Sequence, residues 1–359
     1  MKKISVMFIL PDLETGGAER IVTTIANHLS RDRFEPKILL LRKQGGYLNF
    51  LKKDVEVIDI NTERIRHSLK PILGEIYRRK PDIVFSGFGE VNAYLSLFIK
   101  LFPRIKFVAR ETNVVSQHVT RKEIRFFYNF YNNYEKIIAQ SDDMMKDLID
   151  NFNIKPQKIV KINNPVDFEF IDEKLALSTR PQCFKYNYKN VVAIGNLSSR
   201  KGFDNLLKVF ARLKNENIFL HILGDGKDRE MLLQMKSFLD LKKVIFHGRQ
   251  ENPYQYLKYA DLFILSSRYE GFPNVLLEAG ACGTYSLANN CPGGINEIIQ
   301  HEVNGEIYNI ENHEGFAQKI VSILQHSYNR DAIRNSVKSR FSKNIILEKY
   351  EKVLLELVK

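Results

Sequence analysis

Five times along this chain a short apolar run leads through a loop into a helical stretch. ISVMFIL runs by way of ETGGAER into IVTTIANHL, and VVAIGN by way of LSSRKG into FDNLLKVFARL. IFLHILGDG precedes KDREMLLQMKSFL, VIFHGR precedes ENPYQYLKYA, and LFILSSRYEGFP precedes NVLLEAGAC. Apolar runs without alternation read as strands buried on both faces, and strands alternating with helices make a parallel sheet covered by helices. The pattern therefore demands a doubly wound α/β architecture. It occurs in two sets, and 359 residues exceed what one core ordinarily holds. We expect an N-terminal Rossmann-like domain over 1–168, a second over 169–342, and a C-terminal helix over 343–359 crossing back to the first. NNPVDFEFIDEKLALSTRPQ, between the sets, contains proline and lacks periodicity, and reads as a linker. NIILEKYEKVLLELVK is helical with an apolar face that needs a partner.

Composition narrows the class. With 44% hydrophobic residues and 11% aromatics the chain is globular. No apolar run approaches the roughly 18 residues of a membrane-spanning helix. MKKISVMFIL mimics a leader peptide, but Asp12 and Glu14 follow it where small residues would mark a cleavage site, so a buried first strand is expected. Cys183, Cys282 and Cys291 form no paired framework, which suits a reducing cytoplasm. The net charge of +12 is compatible with nucleic acid, an anionic membrane or a phosphorylated substrate. Because the cations are spread along the chain, no nucleic-acid partner is expected. There is no P-loop, no complete dinucleotide fingerprint, no HExxH, no metal spacing among the eight histidines and no Asp-x-Asp. We therefore expect no metal and no bound cofactor.

RYEGFPNVLLEAGACG, at 268–283, places Glu270 and Glu278 eight residues apart. Gly271 and Pro273 end the strand, so a helix starts near Pro273 or Asn274, with Glu270 in the loop and Glu278 about a turn in. The first-turn backbone N–H groups near Asn274, Val275 and Leu276 would make an anion site. Carboxylates flanking such a site suggest a ligand with hydroxyls on both sides of its phosphates, such as a nucleoside diphosphate sugar. Acids near a helix start are also favourable with no ligand at all. In AIGNLSSRKGFDNLL, Arg200 and Lys201 stand at another helix start, where their charge opposes the dipole, between Gly195 and Gly202 and with Asp204 as an expected cap. That arrangement suits a bound diphosphate, for which these cations would supply the charge a metal otherwise brings; two solvated surface cations are the other reading. Gly224 in ILGDGKD and the turn carrying Arg249 are weaker candidates for backbone approach, as are Gly16 and Gly17 after the first strand.

Together these motifs resemble the family 4 retaining glycosyltransferases of the GT-B fold, over essentially the whole chain. The region from 268 to 298 is similar to their Glu-x7-Glu element, and GGAER, GN…RKGFD, LGDG and NNPVD match in order and spacing. The resemblance implies two Rossmann-like domains facing a central cleft, the second binding a nucleotide sugar, often a UDP-sugar, and the first an acceptor. It implies that Glu270 contacts the transferred sugar, Glu278 accepts from ribose hydroxyls, and Arg200 and Lys201 hold the diphosphate. Gly16 and Gly17 would close over the phosphates, and Gly195, Asn196, Gly224, Arg249, Gly271, Phe272, Asn274, Val275 and Leu276 would line the donor. Transfer would be metal-independent and move a hexose or N-acetylhexosamine to a glycan or lipid-linked acceptor in bacterial surface polysaccharide, lipopolysaccharide or glycan assembly. Asn196 stands where the family often has Arg, and Glu111 and Thr112 stand where many relatives have His. Glu111, Thr112 and Asn113 are accordingly the acceptor-side candidates.

HVTRKEIRFFYNFYNNYEK, at 118–136, interleaves Arg121, Lys122 and Arg125 with Phe126, Phe127, Tyr128, Phe130 and Tyr131. It reads either as an anionic-membrane contact on the cytoplasmic face or as core aromatics. A UDP-sugar 2-epimerase of similar fold is the competing activity; the Glu270–Glu278 spacing and GGAER favour transfer.

Overall fold

The computed structural model describes residues 2–14 and 16–358. The chain divides into two compact units, one running to Pro165 and resuming at Asn344, the other Val166–Lys343. The first is built on seven strands: β1 (Ile4–Leu10), β2 (Phe34–Leu40), β3 (Glu56–Asp59), β4 (Ile83–Ser86), β5 (Lys106–Arg110), β6 (Lys136–Ala139) and β7 (Ile159–Lys161). They lie in the order β3-β2-β1-β4-β5-β6-β7, all neighbours parallel. The second has six: β8 (Lys189–Ile194), β9 (Ile218–Leu223), β10 (Val244–Phe246), β11 (Leu262–Leu265), β12 (Ser286–Asn289) and β13 (Gly305–Tyr308). Their order is β10-β9-β8-β11-β12-β13, again all parallel.

The unbroken apolar runs have a direct cause. Val6, Phe8 and Leu10 of β1 pack with Ile21, Val22 and Ile25 of the helix Gly17–His28, while Met7 and Ile9 pack on the other face with Ile72 and Ile76. In β8, Val191 and Ala193 meet Leu206 and Val209, and Val192 meets Leu257 and Leu276. Each strand side is thus covered by helices. Both sheets reverse their winding direction once, between β1 and β4 and between β8 and β11. Beyond the carboxyl ends of such a strand pair is where this architecture leaves room for a ligand.

The helix Lys343–Glu356 buries Ile346, Leu347, Tyr350, Val353 and Leu354 in the core of the first unit, so its apolar face has its partner there. One expectation is corrected. The stretch after Pro165 is not an irregular linker but contains the helix Phe168–Ala176, capped by Asp167, whose carboxylate accepts from the Phe170 amide at 3.2 Å. Phe168 and Ile171, one turn apart, bury in the second unit's core, a pattern too short to show as periodicity.

The 118–136 stretch forms the helix Lys122–Phe127 and a 3-10 turn, Tyr128–Asn133. Its aromatics split: Tyr128, Tyr131 and Tyr134 are core residues, whereas Phe126 is 57% exposed beside exposed Arg121, Lys122 and Arg125. Among the described residues no helix is long and apolar enough to cross a membrane.

Candidate functional site

The loops that follow β8 and β11 flank the switch point of the second sheet, and they carry the charged residues singled out in the sequence. Lys201 Nζ donates to Glu270 Oε1 at 2.6 Å, Arg200 Nη1 donates to Oε2 at 2.7 Å, and Ser267 Oγ donates to Oε1 at 2.6 Å. Residues about 70 apart in sequence meet because β8 and β11 are neighbours. Glu270 is 4% exposed and Lys201 9%, so the pair is nearly dry. Burial alone would raise the Glu270 carboxyl, but the Lys201 and Arg200 charges outweigh it and hold the group below the usual carboxylate range.

The backbone around this cluster is tightly fixed. Arg268 N donates to Arg200 O at 2.8 Å, and Ser266 Oγ to Lys201 O at 2.8 Å. Glu270 N donates to Pro292 O at 2.9 Å, and Asn289 Nδ2 to Ser267 O at 2.9 Å, which brings in the loop after β12. Two glycines make the closeness feasible. Gly202 has φ +64°, and a Cβ there would sit 2.1 Å from Ser266 O; Gly293 has φ +123°, and a Cβ there would sit 2.3 Å from Glu270 O.

Other expected residues fall out differently. Asp204 does not cap its helix; Gly202 holds the cap position, and Asp204 forms a two-pronged ion pair with Arg268 at 2.9 and 2.7 Å. Phe272 is buried against Phe341, ring centres 5.5 Å apart, so its side chain is a core group and only its backbone can meet a ligand. Leu276 is likewise core, and its amide already donates to Pro273 O at 3.0 Å, so the first turn of Asn274–Ala281 offers fewer donors than the sequence suggested. Val275 is half-buried beside it, Gly271 is buried, and Asn274 is half-buried. Glu278 is the fifth residue of that helix and 8% exposed. After burial itself, its charge is the main cause that pushes the neighbouring Cys282 thiol up.

The ends of β8, β9 and β10 are laced together: Gly195 N donates to Leu223 O at 3.0 Å, Gly224 N to Gly248 O at 2.8 Å, and Leu197 N to Asp225 O at 2.9 Å. The aliphatic chain of Lys201 passes 3.3 Å from where a Cβ on Gly195 would be. Asn196 is exposed, with its Oδ1 turned against Gly226, and Arg249 is exposed after Gly248.

In the first unit Gly16 holds the cap position of the helix that opens at Gly17, with the Glu19 carboxylate folded back against Gly16. Glu111, the acceptor-side candidate, is buried at the end of β5. Its side chain points into the core: Oε1 accepts from Tyr131 Oη at 2.5 Å and from Asn92 Nδ2 at 3.2 Å. Burial raises this carboxyl above its usual range, against those hydrogen bonds. Thr112 and Asn113 beside it are half-buried. A raised carboxyl destabilises the folded state as it ionises, so the cost begins above the unfolded pKa and grows until the folded pKa is passed. Glu111→Gln is therefore expected to unfold in urea like the wild type near pH 4 and to be measurably more stable than it at pH 8. Parallel curves at both pH values would show that Glu111 carries no such cost.

The residue that sequence reading passed over is Arg110, 1% exposed at the carboxyl end of β5. Nε donates to Tyr350 Oη at 3.1 Å and Nη2 to Asn164 Oδ1 at 2.7 Å, while Nη1 has no hydrogen-bond partner among the described residues. A cation ending an otherwise apolar strand was the available signal.

Comparison with known proteins follows the same division. Residues 15–170 match the model described as Glycosyltransferase Family 4, and 179–340 the model described as Glycosyl transferases group 1. The chain belongs to the family 4 type of GT-B glycosyltransferases. This transferase is 27% identical, over 95% of each chain, to N-acetylgalactosamine-N,N'-diacetylbacillosaminyl-diphospho-undecaprenol 4-alpha-N-acetylgalactosaminyltransferase of Campylobacter jejuni. It is 23% identical to the lipopolysaccharide core biosynthesis glycosyltransferase LpsD of Rhizobium meliloti, over 93% of this chain and 94% of that one. The fold of Anabaena HepE in complex with UDP-glucose superposes with a TM-score of 0.82 at 20% identity, covering 98% of this chain and 100% of that one.

Proposed function

We propose that this transferase moves a hexose or N-acetylhexosamine from a UDP-sugar to a glycan or lipid-linked acceptor in bacterial surface glycan assembly, with retention of configuration and no metal in the chemistry. The observation that carries the reading is the buried Glu270–Lys201–Arg200 cluster at the switch point of the second unit. An ionised carboxylate can accept about four hydrogen bonds, and three of these positions on Glu270 are taken by Lys201, Arg200 and Ser267. Its depressed pKa makes it a poor proton acceptor. Glu270 then fixes the two cations and has capacity left for one sugar hydroxyl. The cations meet the charge that grows on the diphosphate as its bond to the sugar breaks. The acceptor proton passes to a phosphate oxygen of the leaving UDP while the acceptor oxygen bonds the same face of the sugar carbon.

The relatives support substrate and setting: one is named for an undecaprenol-linked diphosphate substrate, one for lipopolysaccharide core synthesis, and one binds UDP-glucose. In this reading the first unit handles the acceptor, and buried Arg110, with a donor to spare, suits an acceptor phosphate. Phe126 among Arg121, Lys122 and Arg125 suits contact with an anionic cytoplasmic membrane surface, which co-sedimentation with anionic vesicles tests.

The deciding experiment is a thermal-shift panel of UDP-, GDP- and dTDP-hexoses followed by incubation with the stabilising donor. UDP-sugars are expected to raise the melting temperature, and donor alone to be at most slowly hydrolysed. Conversion of the donor to its 2-epimer would sink the transfer reading. Arg200→Ala is expected to raise the donor KM by about 10–100-fold, the worth of hydrogen bonds to a charged group. An unchanged KM and kcat would remove Arg200 from the diphosphate site.

A further inference from the structure

Away from the Glu270 cluster, the second unit gathers three side chains that its chemistry does not use. His221 lies in the interior of β9, His247 follows β10, and Cys183 stands in the segment ahead of β8. Cys183 Sγ and one nitrogen of each ring all lie within 4.8 Å of one another. His221 Nδ1 is 3.0 Å from His247 Nε2, and His221 Nε2 is 3.1 Å from Asn190 Oδ1.

Asn190 settles the tautomer. Its Nδ2 donates to Lys185 O at 3.3 Å and Tyr188 O at 3.0 Å, so Oδ1 must be the atom facing His221. An amide oxygen only accepts; His221 Nε2 therefore carries the proton and Nδ1 presents a lone pair toward His247. This is the arrangement of a ligating histidine, whose other nitrogen is anchored by a second group that fixes the ring.

We propose that Cys183, His221 and His247 form a site for one zinc-class divalent cation, with a fourth position open to water. Tetrahedral zinc bonded to sulfur and nitrogen at its usual lengths separates the ligand atoms by about 3.3–3.6 Å. The two rings need to part by only a few tenths of an ångström from 3.0 Å. Cys183 loses its thiol proton to solvent, and the proton shared between the rings moves to His247 Nδ1, leaving Sγ, Nδ1 of His221 and Nε2 of His247 as the ligands. His221 is wholly buried, but Cys183 and His247 are half-buried, which gives the ion a way in. Mixed thiolate and imidazole ligands select zinc or cobalt over magnesium or calcium. An occupied site ties the segment ahead of β8 to the turn that carries Gly248 and Arg249. The proposal does not depend on the transferase reading.

The test uses the full chain, stripped of metal and kept reduced, titrated with cobalt(II) as an optical stand-in for zinc. The expected result is a sulfur-to-cobalt charge-transfer absorption in the near ultraviolet that saturates at one cobalt per chain, is displaced by zinc, and is untouched by excess magnesium. Cys183→Ser, at a half-buried position, should melt like the wild type and lose the absorption, although Cys282 and Cys291 remain. His247→Gln should weaken cobalt binding by at least tenfold. Absence of the absorption in the wild-type chain, or its persistence in Cys183→Ser, overturns the proposal.

Discussion

Replacing Glu270 by glutamine is expected to lower kcat by about 10²–10³-fold, the usual loss when one preorganised electrostatic group is removed from a reacting site. The amide keeps the shape of the carboxylate and can accept from Ser267, but it cannot neutralise Lys201 and Arg200. Lys201 is 9% exposed, so its charge would be left buried without a counter-charge. Breaking a buried pair in this way costs about 3–5 kcal/mol, and the melting temperature should fall with activity. The two effects separate in the double variant Glu270→Gln/Lys201→Met. Removing both charges restores much of the stability, because the cost lies in the unpaired cation rather than in the lost attraction. Activity stays low, because the cation is absent as well. Initial rates of UDP release together with thermal melts distinguish these outcomes. Wild-type kcat in the single variant would take Glu270 out of the chemistry. The pair also sets a pH limit. A carboxyl held below its ordinary pKa contributes stability that is present above the unfolded pKa and lost as the pH falls through the folded one. The wild type should lose this increment on acidification, and the glutamine variant should not.

The parts of this molecule that were legible in the sequence are those whose cause is local. A strand buried on both faces is apolar at most positions, so β1, β8, β9 and β11 announce themselves even though β8 carries Asn190 and β9 carries His221. The start of the helix Asn274–Ala281 was legible because Gly271 and Pro273 break the strand ahead of it. What stayed hidden depends on partners far away in the chain. Asp204 looked like a helix cap because its partner, Arg268, is 64 residues on. Glu111 was an acceptor-side candidate only because it stands where many relatives have His, and nothing local tells that Tyr131 and Asn92 enclose it. The histidines showed no metal spacing because His221 and His247 are 26 residues apart and become neighbours only through the pairing of β9 with β10. Sequence spacing reveals sites made within one turn or one helix. This fold instead assembles its sites from the ends of parallel strands, whose separation in sequence is set by the crossover helices.

Ending the chain at Lys343 is expected to abolish cooperative unfolding of the first unit while leaving that of the second. The helix beyond it buries Ile346, Leu347, Tyr350, Val353 and Leu354 against β1 and β4 residues such as Phe8 and Phe85. At about 1.5–3 kcal/mol for each fully buried apolar side chain, the contribution is on the order of 10 kcal/mol, an upper estimate because unfolded chains already hide some surface. A domain's whole stability is about 5–15 kcal/mol. Two polar losses add to it. Tyr350 Oη accepts from Arg110 Nε, and Glu351 Oε1 accepts from the Ser30 amide at 2.6 Å. Without Tyr350, the Arg110 guanidinium stays buried with still fewer partners. The second unit keeps its own core, and Lys343 keeps its bonds to Asp167 at 3.0 Å and Glu169 at 2.7 Å, so its urea transition should survive. Tyr350→Phe keeps the packing and removes only the hydroxyl, and is expected to cost about 1 kcal/mol. If the truncated chain retained both transitions at wild-type midpoints, the helix would be an accessory to the first unit rather than part of its core.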